Sequence, residues 1–341
     1  MSELTEIGLI KSRRQLSNSG HKCLLITRGE IEKLVTIEDV ITAVEAAFRA
    51  YALSEAQMPP KSYLTLPGGD FRAMPAYVSG SCGIKWVSSY PNNRKHGLPT
   101  IMAVLILNDP ETGSPIAIME GTTITTLRTG AAGAIAAKYL ARKNSNTVSL
   151  IGCGVQAKTQ LLALSKVYRI EEVKLYDISP ESAQDLKRSK IIDAIFNVCV
   201  DVKSCIRDAD IVVTTTPVRR PIIINEWLTD GVHINAMGAD APGKQELDPM
   251  ILRRAKIVID DWEQASHSGE INVPLKKGII TKSDIYAELG EIIAGKKRVQ
   301  RKDEEITIFD STGLAIQDIA TAKLIYERAV ETGRGVNVPL S

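Results

Sequence analysis

The chain has 341 residues. That is more than the roughly 250–300 residues at which a single hydrophobic core stops growing, so two domains are expected. Its 42 basic and 40 acidic residues give a formal net charge of +2, a balance that argues against binding to nucleic acid or to an anionic membrane. No apolar run approaches the roughly 18 residues of a membrane helix, and no signal-peptide core is apparent, so a cytoplasmic protein is expected.

The five cysteines are scattered along the chain without a CxxC pair, and only four histidines are present. Structural zinc sites are built from closely spaced thiols and imidazoles, so neither zinc nor any other metal is expected. An odd number of scattered cysteines is typical of reduced, mostly buried thiols.

The first part of the chain has a mixed α+β pattern. Residues 1–22 form a polar stretch, which we interpret as an extension. Thr36 is a candidate N-cap for a helix whose apolar residues recur at helical spacing from Val40 to Tyr51, and the prolines after it end the helix. Four strand-like runs follow, separated by glycine- and proline-rich turns: KSYLTL, FRAMPAYV, GIKWVSSY and TIMAVLILN.

From Leu127 the pattern becomes that of a doubly wound, Rossmann-type α/β domain. RTGAAGAIAAKYLARK predicts a helix of small residues that starts at Arg128 and packs closely on a sheet. Several later runs are continuously apolar, like strands buried on both faces of a parallel sheet: TVSLI, EVKLYD, ADIVVTTT, GVHINAMG, AKIVIDD and EITIFDS. A long amphipathic helix from Leu314 is expected to return to the first domain, which makes that domain discontinuous.

The stretch SLIGCGVQAKTQ predicts a dinucleotide site. Gly152 permits a tight turn after a strand, and Gly154 lets the backbone approach a pyrophosphate at the N-terminus of the next helix. The following strand ends at Asp177, whose carboxylate would accept hydrogen bonds from ribose hydroxyls and repel a 2′-phosphate. A glycine-rich turn without a ligand is the alternative, but the strand, the helix and the acid together favour NAD.

Four charged residues lie in otherwise apolar or small-residue settings: Arg72, Lys85, Arg128 and Asp240. Asp240 follows a buried strand, and ligands of doubly wound sheets bind at the carboxyl ends of strands, so it is a candidate for acid–base chemistry. Three cations in one pocket would suit a small carboxylate substrate. Taken singly, each residue is explained as well or better by a structural ion pair, and periodicity does not show that the four meet.

Seven strings resemble the ornithine cyclodeaminase/μ-crystallin family, and within it the archaeal L-alanine dehydrogenase branch: KWVSSYPNN, LPTIMAVLILNDPETG, LRTGAAGAIAAKYLARKNS, IGCGVQA, GADAPGKQELD, GEINV and FDSTGLAIQD. The resemblance runs from about Leu24 to Ala329. It implies a substrate-binding and dimerisation domain from residues 23–127 and 314–341, and an NAD-binding domain from residues 128–313. It also implies a homodimer with an amino acid as its small-molecule substrate.

The resemblance implies roles for individual residues. Lys85 and Asp240 are implied as catalytic residues, and Arg128 as a ligand of the substrate carboxylate. Lys61 stands where cyclodeaminases carry a substrate-binding arginine. The cofactor-binding candidates are Thr129, Gly152, Gly154, Val155, Gln156, Asp177, Thr215, Lys244 and Ser311. From their positions alone, Asp310 and Ser311 either reach the nicotinamide end of the cofactor or cap the helix from Leu314.

Arg72 discriminates between branches of the family. It stands where the cyclodeaminases carry a glutamate that receives the distal ammonium of ornithine. An arginine would repel that ammonium and leave it without a counter-charge. Arg72 matches the alanine dehydrogenase pattern, in which it serves with Lys85 in catalysis and substrate binding.

The sequence therefore predicts reversible, NAD-dependent oxidative deamination of L-alanine to pyruvate and ammonium, by hydride transfer from Cα and hydrolysis of the imine. Arg128 and Arg72 would hold the carboxylate, Lys85 would exchange protons, and Asp240 would orient or deprotonate water. Which of the last two is the base stays open. One alternative is an ornithine cyclodeaminase or cyclic-ketimine reductase on the same scaffold. Another is a non-catalytic, μ-crystallin-like ligand-binding protein, against which the intact Lys85 and Asp240 argue.

Overall fold

The computed structural model describes residues 22–340. The predicted polar extension, apart from Lys22, lies outside the described residues. The α-helices in the described part are, in chain order, α1 (Arg28–Leu34), α2 (Ile37–Ala52), α3 (Gly121–Leu140), α4 (Val155–Leu164), α5 (Pro180–Ser189), α6 (Val202–Ile206), α7 (Pro249–Arg254), α8 (Trp262–Ser268), α9 (Asn272–Lys276), α10 (Leu289–Ile293) and α11 (Ala315–Thr332).

The strands form two separate sheets. In chain order they are β1 (Lys22–Ile26), β2 (Ser62–Leu66), β3 (Gly69–Val78), β4 (Ser81–Ser89), β5 (Ile101–Asn108), β6 (Pro115–Glu120), β7 (Thr147–Ile151), β8 (Glu172–Tyr176), β9 (Ile195–Val198), β10 (Ile211–Thr214), β11 (His233–Ala236), β12 (Lys256–Ile259), β13 (Ile285–Glu288), β14 (Thr307–Asp310) and β15 (Val336–Pro339).

The first sheet has seven strands in the order β15-β1-β6-β5-β4-β3-β2, and β2 to β6 are antiparallel neighbours. Side chains alternate between its faces, so Arg72 and Met74 on β3 share one face. Lys85 on β4 lies opposite Met74 in the register and is buried on the same face. Helix α11 packs across β3 and β4 and against α2. This arrangement places two basic side chains beneath a helix from the far end of the chain.

The second sheet is an eight-stranded parallel sheet in the order β13-β12-β14-β11-β10-β7-β8-β9. Most of its central strands are buried along their whole length, which explains their continuously apolar sequences. The strand order reverses between β7 and β10, the kind of crevice where doubly wound sheets bind ligands. The predicted fold class is confirmed: a Rossmann-type domain plus a mixed α+β domain that also takes α11 and β15.

Helix α3 starts earlier than the sequence predicts. It begins at Gly121 rather than at Arg128, because the Glu120 carboxylate accepts the backbone N–H groups of Thr122 and Thr123 at 2.6 and 2.9 Å and so caps the helix. The threonine-rich first turns hide this start in the sequence. Arg128 therefore lies inside the helix, and the proposed domain boundary between residues 127 and 128 falls within α3.

Three strands of the first sheet were not predicted. They are the short strands β1, β6 and β15. Strand β1 follows the predicted extension, β6 begins at a proline turn, and β15 follows the last helix. Strand β1 pairs in parallel with β6 and antiparallel with β15. Two segments far apart in the described part of the chain thus lie together at one edge of the first sheet. No helix among residues 22–340 is long and apolar enough to cross a membrane.

Replacement of Gly130 by alanine tests the close packing of α3 on α4. A Cβ at Gly130 would lie 2.7 Å from the Thr159 carbonyl oxygen, so the two helices must separate. We expect the free energy of unfolding to fall by about 1–3 kcal/mol, although alanine alone favours a helix by about 1 kcal/mol. Gly29→Ala in α1 is the control, because no atom lies within 4 Å of its Cβ position. Equal stability of both variants in denaturant titration would contradict this packing.

Candidate active site

Lys85 is a buried lysine with a buried counter-ion. Its side chain is 1% exposed, and its Nζ lies 2.7 Å from Oδ2 of Asp318 in the first turn of α11. Burial lowers the pKa of Lys85 to about 7, an effect that Asp318 opposes and that Arg128 and Lys61 reinforce. An amine that changes protonation near neutral pH is suited to proton exchange with a substrate.

Arg128 shares the same carboxylate. Its Nε donates to Oδ1 of Asp318 at 3.0 Å, and its Nη1 donates to Oε1 of Gln317 at 3.1 Å. Gly313 has φ +77°, and a Cβ built there would collide with Nη1 of Arg128. The loop before α11 therefore requires glycine at this position. One buried carboxylate thus holds two cations that come from α3 and β4.

Arg72 lies between two further carboxylates. Its Nε is 2.6 Å from Oδ1 of Asp70, and its Nη1 is 2.8 Å from Oδ2 of Asp240. The Lys244 Nζ is 2.5 Å from the other Asp240 oxygen. Burial acts to raise the pKa of Asp240, but Arg72 and Lys244 outweigh it and hold that pKa below its usual range. Asp240 is therefore a carboxylate at neutral pH, and a weak base while these contacts persist.

Lys61 links the first sheet to the loop that follows β14. Its Nζ donates to the Thr312 carbonyl oxygen at 2.6 Å. Asp260, which follows β12, accepts the backbone N–H groups of Thr312 and Gly313 at 2.6 and 2.8 Å. Burial lowers the pKa of Lys61 to about 8 and raises that of Asp260 to about 6. The loop is thereby held from both sheets.

These groups form one cluster between the two sheets, which we call the cationic cluster. It contains Lys61, Arg72, Lys85, Arg128, Lys244, Asp70, Asp240, Asp260 and Asp318. Its five basic and four acidic side chains give one net positive charge when all are ionised. Such a cluster can bind one small carboxylate and exchange a proton beside it.

The glycine turn has the shape that a pyrophosphate requires. Gly152 has φ +90°, a conformation open to glycine. Gly154 is the N-cap of α4, and no heavy atom lies within 4 Å of the position its Cβ would take. Open space above a helix N-terminus fits an anionic ligand. The Asp177 carboxylate accepts the backbone N–H groups of Cys153 and Ser179, both at 2.8 Å, and it keeps lone pairs that can accept ribose hydroxyls.

The other predicted cofactor residues lie along the same edge of the second sheet. Val155 and Gln156 begin α4, and Val155 is 68% exposed. The Thr215 hydroxyl donates to the Gly152 carbonyl at 3.2 Å. The backbone N–H of Ser311 donates to the Ala236 carbonyl at 3.1 Å, so Ser311 follows β14 at the carboxyl end of the sheet.

Two further cofactor candidates have partners inside the protein. The Thr129 hydroxyl donates to the Thr125 carbonyl at 2.7 Å within α3. Lys244 is paired with Asp240 in the cationic cluster. The alternative that Asp310 caps the last helix is wrong, because its carboxylate accepts the backbone N–H groups of Glu270 and Ile271 at 2.9 and 3.1 Å.

Sequence reasoning missed three carboxylates of the cationic cluster: Asp70, Asp260 and Asp318. Asp318 lies among apolar residues of an amphipathic helix, which is the same signal that singled out Lys85. Asp70 reads as a turn residue, and Asp260 as the polar end of a buried strand. Among residues 22–340 no group of histidine, cysteine, aspartate or glutamate side chains could hold a metal ion.

Comparisons with known proteins identify the family of this chain. Residues 21–333 match the model of the ornithine cyclodeaminase/mu-crystallin family. An alanine dehydrogenase of Archaeoglobus fulgidus is 54% identical over 318 residues, which cover 92% of this chain and 98% of that protein.

Two solved structures share the fold. An archaeal alanine dehydrogenase dimer with bound NAD has a TM-score of 0.92 and 53% identity, and covers 94% of this chain and 100% of its own. A Δ1-pyrroline-2-carboxylate reductase of Thermococcus litoralis, in complex with NADH and L-proline, has a TM-score of 0.90 and 41% identity, and covers 92% and 100%. The predicted resemblance is confirmed, and the chain belongs to the ornithine cyclodeaminase/mu-crystallin family.

Proposed function

We propose that this protein is an NAD-dependent L-alanine dehydrogenase, which converts L-alanine to pyruvate and ammonium and runs the reverse amination. The observation that carries this proposal is the cationic cluster, which has a net charge of +1 once Lys85 is protonated and so matches one substrate carboxylate. The relative from A. fulgidus, at 54% identity, supports the choice of substrate. The open N-terminus of α4 at Gly154, together with Asp177, supports NAD as the cofactor.

The residues of the cluster divide the chemistry between them. When NAD is bound, it supplies the hydride acceptor for the substrate Cα. Arg128 binds the carboxylate, since two of its N–H groups hold it on Asp318 and Gln317 and the guanidinium has five. Lys85 takes the proton of the substrate amine, because its pKa of about 7 is closer to neutrality than that of Asp240. Asp240 orients the water that hydrolyses the imine.

A second candidate is the reduction of a cyclic imine such as Δ1-pyrroline-2-carboxylate. The observation that favours it is the 41% identity to the T. litoralis reductase. Both substrates carry one carboxylate, so the charge of the cluster is compatible with either substrate. Arg72 argues against ornithine cyclodeamination, because both carboxylates beside it are already paired with cations.

A single set of assays separates these functions. Purified protein is incubated with NAD and L-alanine or L-ornithine, and with NADH and Δ1-pyrroline-2-carboxylate, while the absorbance of NADH is followed. We expect net NADH from alanine at a higher kcat/KM than either competing reaction. Proline and ammonium from ornithine without net NADH would contradict the proposal. Turnover of the cyclic imine alone would replace it with the second candidate, and NADH binding without any turnover would favour a ligand-binding protein.

Lys85→Arg tests proton exchange. Arginine keeps the positive charge but does not release a proton, so we expect kcat for alanine to fall by roughly 10²–10⁴-fold. The Kd for NADH, measured by fluorescence titration, should stay within about twofold, because Lys85 belongs to a strand of the first sheet whereas the glycine turn follows β7 of the second. A kcat within about tenfold of the unmodified protein would show that Lys85 acts only as a charge.

Arg72→Met tests the contact with Asp240. The substitution removes hydrogen bonds to two carboxylates, and bonds to charged groups contribute about 1.5–3 kcal/mol each. We expect kcat/KM for alanine to fall by at least about 10²-fold in steady-state assays. Arg253→Met, on the exposed side of α7, is the matched control and should leave kcat/KM unchanged. A fall in kcat/KM of less than about threefold for Arg72→Met would show that alanine oxidation does not depend on the contact between Arg72 and Asp240.

We also propose that the protein is a homodimer. Large apolar side chains on the uncovered face of the first sheet are 37–52% exposed: Leu64, Trp86, Met102 and Val104. Trp86 lies opposite Val104 in the register, and the ring of Phe71 stacks on it at 5.3 Å. A continuous apolar patch of this kind is typical of a subunit interface.

The free thiols of the described cysteines are consistent with a protein that acts in the reducing cytoplasm.

Val104→Glu tests this interface. A charge in the middle of the patch is expected to convert the dimer to monomer in sedimentation or light-scattering measurements, because a buried unpaired carboxylate is costly. Val330→Glu, at a 58% exposed position of α11, is the control and should remain dimeric. A Val104→Glu variant that remains dimeric would place the interface elsewhere.

A further inference from the structure

The carboxylate of Asp318 is shared by two cations that have different tasks. Its Oδ2 lies 2.7 Å from Lys85 Nζ, and its Oδ1 lies 3.0 Å from Arg128 Nε. The three side chains are 0–7% exposed, so water screens their charges little. An anion that binds beside Arg128 therefore changes the pKa of Lys85.

We propose that Asp318 is a positioning residue that couples the two sites, so that a carboxylate arriving at Arg128 draws a proton onto the Lys85 amine. The proposal rests on the proposed function, since it assumes that Arg128 receives the substrate carboxylate. Asp318 itself touches neither the substrate nor the cofactor in this scheme. It acts by holding the Lys85 amine and the Arg128 guanidinium on opposite oxygens of one rigid group.

The charges of the trio give the direction of the effect. With Lys85 neutral, Asp318 and Arg128 cancel, and with Lys85 protonated the trio carries one net positive charge. The other cation that faces Lys85 is Lys61, which also disfavours the protonated form. A substrate carboxylate adds one negative charge, and this favours protonated Lys85. The proton comes from solvent when the ligand has none to give, and from the substrate ammonium when the ligand is alanine.

This coupling deprotonates the substrate nitrogen before hydride transfer, which is when the reaction requires it. Hydride can leave the alanine Cα once the substrate nitrogen has lost its extra proton. The same substrate carries both the carboxylate and the ammonium. Binding of the carboxylate at Arg128 therefore promotes deprotonation of the ammonium by Lys85. The proton moves from the substrate nitrogen to the Lys85 Nζ, and the amine lone pair becomes free to form the imine.

Three elements keep this geometry fixed. Asp318 lies in the first turn of α11, where the helix dipole favours a carboxylate. Gln317, the residue before it, accepts a second hydrogen bond from Arg128. Gly313 allows the guanidinium to approach the loop closely. The shared carboxylate is therefore a built feature that holds Arg128 in one orientation.

Calorimetry measures the coupling without catalysis. The protein, saturated with NADH, is titrated with oxamate, an unreactive carboxylate of the size of pyruvate. Repeating the titration in buffers of different ionisation enthalpy gives the number of protons taken up per site. We expect uptake of roughly 0.3–0.5 proton near pH 7, because Lys85 is about half neutral before binding. Uptake should vanish below about pH 5.5, where Lys85 is already protonated.

Variants assign the proton and the coupling. Lys85→Met should bind oxamate with little proton uptake near pH 7, which identifies the group. Uptake that persists nearer pH 8 belongs to Lys61, whose pKa is about 8. Asp318→Asn should move the pH of maximal uptake down by about one unit or more, because Lys85 loses its counter-ion. Asp318→Glu should restore the original profile in part. An Asp318→Asn profile identical to that of the unmodified protein would overturn the coupling.

The outcomes separate this inference from the proposed function. If the protein oxidises alanine but oxamate binds with no proton uptake between pH 6 and 9, the coupling is wrong while the dehydrogenase stands. If alanine is not oxidised but oxamate binding is accompanied by proton uptake, the coupling is correct and the protein acts on another carboxylate substrate. If oxamate does not bind to the NADH complex, Arg128 is not a carboxylate site and the inference is overturned. The NADH Kd of Asp318→Asn shows whether that variant keeps its fold.

Discussion

Burial of the Asp318 carboxylate would cost several kcal/mol without partners, and the fold meets this constraint by bringing two cations to it. Lys85 comes from β4 and Arg128 from α3, whereas Asp318 itself comes from the last helix. This part of the cationic cluster depends on the meeting of three distant segments. Buried ion pairs contribute little net stability, so the trio is better explained by chemistry than by folding.

The loop of residues 310–313 extends the same constraint to the second sheet. Its backbone N–H groups donate to Asp260, its carbonyl at Thr312 accepts from Lys61, and its glycine contacts Arg128. One short segment therefore ties the end of β14 to both the first sheet and α3. Because the glycine turn lies on the same edge of the second sheet, a cofactor bound there would lie beside the cationic cluster.

Much of this arrangement follows from local sequence patterns. The continuously apolar runs predicted the parallel sheet, and Gly152 and Gly154 predicted the turn, because each signal lies within one strand–turn–helix unit. The start of α3 was missed because Glu120, which caps the helix, is followed by a threonine-rich run with no apolar period. Asp318 was missed for a different reason: its role depends on Lys85 and Arg128, which lie more than 180 residues away along the chain. Periodicity within one helix carries no information about such partners.

The structure changes the explanation of how Arg72 would select the substrate. The sequence suggested repulsion of a second ammonium group by a free arginine charge. Arg72 is instead held by Asp70 and Asp240, and Lys244 holds the other oxygen of Asp240, so this part of the cluster carries no net charge. A diamine would be excluded because both carboxylates that could receive its distal ammonium already have cations. Selection would then arise from occupied acceptors. The net positive charge of the cluster, present when Lys85 is protonated, lies instead among Lys61, Lys85 and Arg128, where we propose that the substrate carboxylate binds.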